Sequence, residues 1–170
     1  MKKLVLPALL ALTLAACSST GPENGAASVQ DRGAGVATVT AGSASGSGIA
    51  ALTDPNNILS KRSVFFDFDS FVIKQEARAL VEAHARFLVQ NPQMRMLIQG
   101  NTDERGSREY NLALGQKRAD VVKQALMLLG AKEAQIESVS LGEEKPRCED
   151  RTEACYGENR RGDMLYSGEF

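Results

Sequence analysis

From about residue 57 the apolar positions fall into two periods. Ser63-Val-Phe-Phe-Asp-Phe68 sets Val64, Phe66 and Phe68 on one face at the two-residue period of a strand, which ends at Asp69. Ile73 to Gln90 instead repeats at three and four residues through Ala77, Leu80, Val81, His84 and Leu88, the pattern of a helix, and it stops before Asn91-Pro92 because the residue preceding a proline is pushed out of helical geometry. Met94 to Gln99 predicts a second strand closed by Gly100, and a polar loop, residues 101–107, leads into a long helix from about Glu109 to Leu129 with Gly130 as its stop. Ile136 to Leu141 predicts a third strand, and Gly162 to Ser167 a weaker fourth after a cysteine-containing loop. Two amphipathic helices, each following a strand, imply an α/β (α+β) sandwich with both helices on one face of a small mixed sheet.

Before residue 57 the periodicity is absent. Residues 18–56 are dominated by Gly, Ser, Ala, Thr and Val, and runs such as Ser43-Ala-Ser-Gly-Ser-Gly48 lack the large apolar side chains needed to offset ordering entropy. This stretch is expected to act as a disordered tether with an average span of about 35 Å. The first residues read as an address: Lys2 and Lys3 are followed by an apolar run, Leu4 to Leu14, too short to span a bilayer and suited to a signal segment. Leu14-Ala15-Ala16-Cys17 resembles the lipobox of bacterial lipoproteins, which implies removal of residues 1–16 and lipidation of Cys17; an ordinary secretory signal with an incidental cysteine is the alternative. Several acyl chains, at about 0.8 kcal/mol per buried methylene, make such anchoring effectively permanent. The expected organisation is therefore residues 1–16 signal, 17–56 lipidated linker and 57–170 folded domain.

Composition narrows the chemistry. The chain has 170 residues, with 20 basic residues against 21 acidic ones and a net charge of -1, so it lacks the excess cation that phosphate binding requires and nucleic acid is not an expected partner. A single histidine, His84, excludes a multi-histidine metal centre and leaves one candidate for imidazole chemistry; its setting among Ala77, Leu80, Val81 and Leu88 reads as the edge of a core. No metal, cofactor or enzymatic activity is expected. Asp67 and Asp69 imitate a carboxylate pair but read as turn and cap residues. With Cys17 set aside, Cys148 and Cys155 form an even pair in an exported chain and suggest a disulfide, free thiols being the other possibility.

The informative segment runs from Gly100 through a polar loop into the long helix. There Asn111, Leu114, Arg118, Val122 and Ala125 share one face, so the Arg118 guanidinium rises from an apolar surface and needs an anionic partner. Asp103, in the preceding loop, is the carboxylate in reach. Two readings stand: the pair pins loop to helix, or it flanks a pocket complementary to a zwitterionic amino acid end, ammonium to Asp103 and carboxylate to Arg118.

Asn101-Thr-Asp-Glu-Arg-Gly106, Tyr110-Asn111, Leu114-Gly115 and Arg118-Ala119, with Phe65-Phe-Asp-Phe-Asp69 upstream and Asn159-Arg-Arg161 downstream, resemble the OmpA-like peptidoglycan-binding domain of Pal proteins over residues 60–166. The resemblance implies a βαβαββ sandwich that binds the meso-diaminopimelate of peptidoglycan stem peptides without catalysis. It implies that Asp103 and Arg118 are the charged partners, that Phe68, Asp69, Asn111 and Leu114 line the pocket, and that Thr102 fixes the loop presenting Asp103. Asn159 to Arg161 are expected chiefly to organise the fold. Ser18 rather than Asp after Cys17 implies, in lipoproteins of the lipobox type, an outer-membrane anchor with the domain facing the periplasm, and the OmpA-like resemblance implies TolB and other Tol proteins as partners; an envelope protein-interaction module is the alternative function.

Overall fold

A computed structural model describes residues 44–169. The signal segment, Cys17 and residues 17–43 of the expected linker lie outside them. Four strands, β1 (Ser63–Phe65), β2 (Met96–Asn101), β3 (Ile136–Gly142) and β4 (Arg161–Tyr166), form one sheet in the order β1-β4-β2-β3. β4 is antiparallel to both β1 and β2, and β2 is parallel to β3. Among the described residues four α-helices complete the fold: α1 (Ala44–Thr53), α2 (Arg78–Gln90), α3 (Arg108–Leu128) and α4 (Glu153–Asn159). The order β1-α2-β2-α3-β3-β4 is the βαβαββ sandwich, with α1 and the short α4 added to it.

The core lies between the sheet and α2 and α3. Val64, Phe66, Met96, Ile98 and Met164 meet Leu80 and Leu88 from α2 and Val122 and Leu126 from α3, all at most 9% exposed. Each fully buried large apolar side chain contributes about 1.5–3 kcal/mol relative to its exposed state. α3 is bounded by its sequence. The Ser107 hydroxyl accepts from the Tyr110 N–H at its start, and at its end Gly130, at φ +103°, lets its own N–H reach the Met127 carbonyl while that of Ala131 reaches Leu126.

The first strand is shorter than its pattern predicts. Pairing with β4 ends at Phe65, although the Phe66 N–H still reaches the Arg160 carbonyl. Phe68 therefore departs from the face of Val64 and Phe66 and is 57% exposed. Two helices fall where loops were expected. α1 occupies residues placed in the linker, and Leu52 packs into the core with its carbonyl bonded by Arg62, so the ordered unit begins before residue 57. α4 lies inside the cysteine loop, where Thr152 caps it and a Cys148–Cys155 disulfide ties it back to the chain.

Close approach of α3 to β2 sets the position of the site. A Cβ on Gly100 would lie 1.8 Å from the Gly115 carbonyl oxygen, and one on Gly115 would lie 2.3 Å from the Ser140 hydroxyl. Only hydrogen at both positions lets the helix lie this near the sheet, which brings Arg118 over the end of β2.

Candidate binding cavity at the end of the second strand

At the carboxyl end of β2 the chain turns outward, its backbone held where the Thr102 N–H donates to Gly142 at 2.8 Å. Asp103 follows and is 3% exposed. Its carboxylate accepts four hydrogen bonds: Oδ1 from the backbone N–H of Arg105 (3.1 Å) and from Arg105 Nε (3.2 Å), Oδ2 from Arg105 Nη2 (2.7 Å) and Arg160 Nη1 (3.1 Å). Burial alone raises the pKa of this carboxyl, but the bonds from Arg105 and Arg160 together outweigh burial and hold it below the usual aspartate value. Asp103 is thus a buried, ionised carboxylate.

Arg118 is fully buried and rises from α3 beneath the same cavity. Its Nε, Nη1 and Nη2 donate to the carbonyls of Ser70, Asn101 and Asp67 at 2.8, 2.9 and 3.1 Å, and its guanidinium lies 5.3 Å from the centre of the Phe66 ring. It forms no direct ion pair with Asp103. Instead it fastens the turn after β1 to the end of β2, and three of a guanidinium's five N–H groups are spent, leaving one on each terminal nitrogen. Burial lowers its pKa to about 10, with repulsion from Arg160 in the same direction and attraction to Asp103 opposing both, so the charge persists at neutral pH.

The two charges line one cavity of about 180 Å³ together with Phe68, Asp69, Thr102, Arg105, Gly106, Tyr110, Asn111, Leu114 and Arg160. All six pocket residues expected from the sequence are brought together here. Asp69 adopts a left-handed backbone at φ +52° and accepts from the Tyr110 hydroxyl, and the Asn111 amide donates to Glu143. Leu114, 8% exposed, supplies an apolar wall. A larger hollow of about 530 Å³ beside β1 is lined by Lys61, Arg62, Lys74 and Glu76 among apolar side chains, none of these four being buried as Asp103 and Arg118 are, which favours the smaller cavity as the site.

Two arginines were not anticipated in this cavity. Arg105 stacks between the rings of Phe68 (4.1 Å) and Tyr156 (4.3 Å) while paired to Asp103 and Glu153. Arg160 bonds Asp103, Glu153 and the Phe66 carbonyl. Its neighbours do organise the fold: the Asn159 amide clamps Arg147 and Cys148 through three hydrogen bonds, and Arg161 pairs with Asp163. The signal lay in adjacency, because successive residues entering a strand point to opposite faces, so Arg160 and Arg161 cannot share one role.

A family model described as OmpA family matches residues 65–160. The chain belongs to the OmpA family. Within that family its similarity is to peptidoglycan-associated lipoproteins: 39% identity over 161 residues to that of Pseudomonas putida, covering 92% of this chain and 93% of the relative, and 46% over 104 residues to that of Pasteurella multocida, covering 61% and 69%. The crystal structure of the peptidoglycan-associated lipoprotein from Burkholderia pseudomallei is 56% identical, with a TM-score of 0.68, and the match covers 69% of this chain and 99% of that one. Membership of the family agrees with the fold.

Proposed function

We propose that the chain is a non-catalytic outer-membrane lipoprotein whose OmpA domain grips peptidoglycan by taking the zwitterionic end of a stem-peptide diaminopimelate into the cavity of Asp103 and Arg118. The observation that carries this reading is the pair of buried opposite charges on one small cavity that do not neutralise each other directly. The ammonium of an α-amino acid end is drawn to the Asp103 carboxylate, and its carboxylate is suited to the two N–H groups Arg118 keeps free. Phe68 and Leu114 give the aliphatic chain an apolar wall. A lipid at Cys17 and this cavity at the other end make a membrane-to-wall tether, its strength multiplied by many copies on one polymer.

The test is co-sedimentation of the full chain with purified peptidoglycan, competed with free meso-diaminopimelate. Asp103→Asn keeps the shape but removes the charge, and the expected outcome is a loss of at least about tenfold in binding, as for a charge-assisted contact of 1.5–3 kcal/mol, with folding confirmed by circular dichroism. Undiminished co-sedimentation of a folded Asp103→Asn chain would falsify the reading. The lipid anchor is tested separately by mass spectrometry of Cys17.

The alternative, an envelope protein-interaction module, draws support from an acidic cleft beside the cavity, lined by Glu104, Glu143, Glu144, Glu149 and Asp150. The Tol partners that the family resemblance implies would meet that negative surface. A TolB pull-down competed with diaminopimelate peptide separates overlapping sites from independent ones.

A further inference from the structure

The saturation of Asp103 poses a problem that the cavity itself answers. A carboxylate offers about four lone-pair positions, and all four of its incoming donors come from Arg105 and Arg160. An entering ammonium brings three N–H donors that each need an acceptor once water is excluded. Asp103 can accommodate one of these only by giving up a bond to Arg105 or Arg160. One residue earlier, the Thr102 side chain offers what Asp103 lacks. Thr102 is 3% exposed and lines the same cavity, yet its hydroxyl oxygen has no hydrogen-bond partner among the described residues. The backbone around it is fixed by the bond from its N–H to Gly142, so the side chain is held at the wall. A buried hydroxyl without a partner loses its hydration with nothing in return, which makes it a poor structural choice at a position where valine has the same shape.

We propose that Thr102 is a ligand-binding residue: its hydroxyl accepts a hydrogen bond from the ligand's ammonium, beside Asp103, and so selects a free primary amine over an acylated one. This rests on the cavity being the site for an α-amino acid end. Thr102 also lines the acidic cleft, whose carboxylates reinforce a preference for a cationic rather than a neutral nitrogen at this position. The cost of the unpartnered hydroxyl is recovered when the ammonium arrives, so the same group weakens the fold and strengthens the complex.

The two effects have opposite signs, and that makes the test selective. Full-chain Thr102→Val and Thr102→Ser are compared with the unaltered protein for urea midpoint and for calorimetric binding of free meso-diaminopimelate and of its mono-N-acetyl derivative. Thr102→Val is expected to be at least as stable as the unaltered chain yet to bind the free diamino acid about tenfold more weakly, as loss of one hydrogen bond to a charged group implies. Its preference for the free over the acetylated amine is expected to shrink by the same factor, and Thr102→Ser to keep binding within about twofold because it keeps the hydroxyl. Undiminished binding by Thr102→Val, or an equal loss in Thr102→Ser, overturns the role of the hydroxyl. Asp103→Asn in the same series tells the two failures apart: if it loses binding and Thr102→Val does not, the cavity stands and the threonine role falls, whereas if neither loses binding the cavity reading itself is wrong.

Discussion

At the scale of single residues, Arg118 carries two burdens. The proposed function gives it a ligand carboxylate to meet, and in this structure it satisfies three backbone carbonyls from two segments distant in sequence. Arg118→Ala leaves those carbonyls buried without partners and opens a void, so we expect destabilisation of roughly 3 kcal/mol or more, read as a lowered urea midpoint. Binding loss in that variant therefore cannot be assigned to the ligand contact alone, and Asp103→Asn or Thr102→Val is the better probe of recognition. Arg105 is a gentler case, since its side chain is a third exposed and stacks on two rings. Arg105→Ala is expected to cost about 1–2 kcal/mol, as the loss of its part-exposed pairs with Asp103 and Glu153 and of its stacking contacts would, with the decrease read from thermal melting.

At the scale of elements, the seat of α3 against β2 decides whether Arg118 and Asp103 line the same cavity. Gly115→Ala sets a methyl into the Ser140 hydroxyl and the Gly100 carbonyl, and the expected cost is about 1–3 kcal/mol for overpacking together with weaker binding, because a shift of the helix moves Arg118 with it. A matched Ala119→Gly, at a buried position one turn on, changes stability without forcing the helix outward and separates displacement from mere destabilisation. The Cys148–Cys155 bridge acts on α4 in the same way. It closes a ring of about eight residues, worth roughly 2.5 kcal/mol on the chain-entropy relation, and α4 supplies Tyr156 and Glu153, which brace Arg105. Reduction is therefore expected to lower stability by about that amount, and amide exchange should rise first in residues 148–159.

At the scale of the whole molecule, pH acts through the single histidine. His84 is fully buried, its Nε2–H donating to the Lys61 carbonyl at 2.8 Å and its Nδ1 accepting from the Tyr166 hydroxyl at 2.9 Å. Burial lowers its pKa to about 4, the Lys61 carbonyl opposing that shift. An unfolded imidazole takes its proton near pH 6.5, so between about 6.5 and 4 the unfolded chain binds more protons than the folded one and stability falls as pH falls, by roughly 3 kcal/mol across the window. Above pH 6.5 this contribution is constant. Asp103, with its pKa lowered, adds a second loss only below its unfolded value of about 3.8. Urea midpoints between pH 7 and 4, with the imidazole resonance followed by NMR, check the sign, and a histidine titrating near 6.5 in the folded protein would contradict it.

The βαβαββ order was legible because each element declares itself locally. Period-two and period-3.6 patterns, the cap at Ser107 and the stop at Gly130 are properties of neighbouring residues, and they place the elements to within a few positions. Asp103 and Arg118 were legible from spacing, whereas Phe68, Asp69, Asn111 and Leu114 were legible only because their motif resembles a family whose fold brings them together. α1 and α4 were hidden because their Gly, Ser and Cys content has no helical signature, and they form through packing of Leu52 and through the disulfide. The partners of the charges were hidden too. Asp103 and Arg118 are fifteen positions apart and suggested a pair, whereas folding gave Asp103 to Arg105 and Arg160, and Arg118 to three carbonyls. Sequence alone determined which residues carry charge and which element carries each; the tertiary structure decided which groups are satisfied and which are left waiting, because hydrogen-bond partners across a sheet edge and a helix are fixed by distances of a few ångströms that no spacing along the chain encodes.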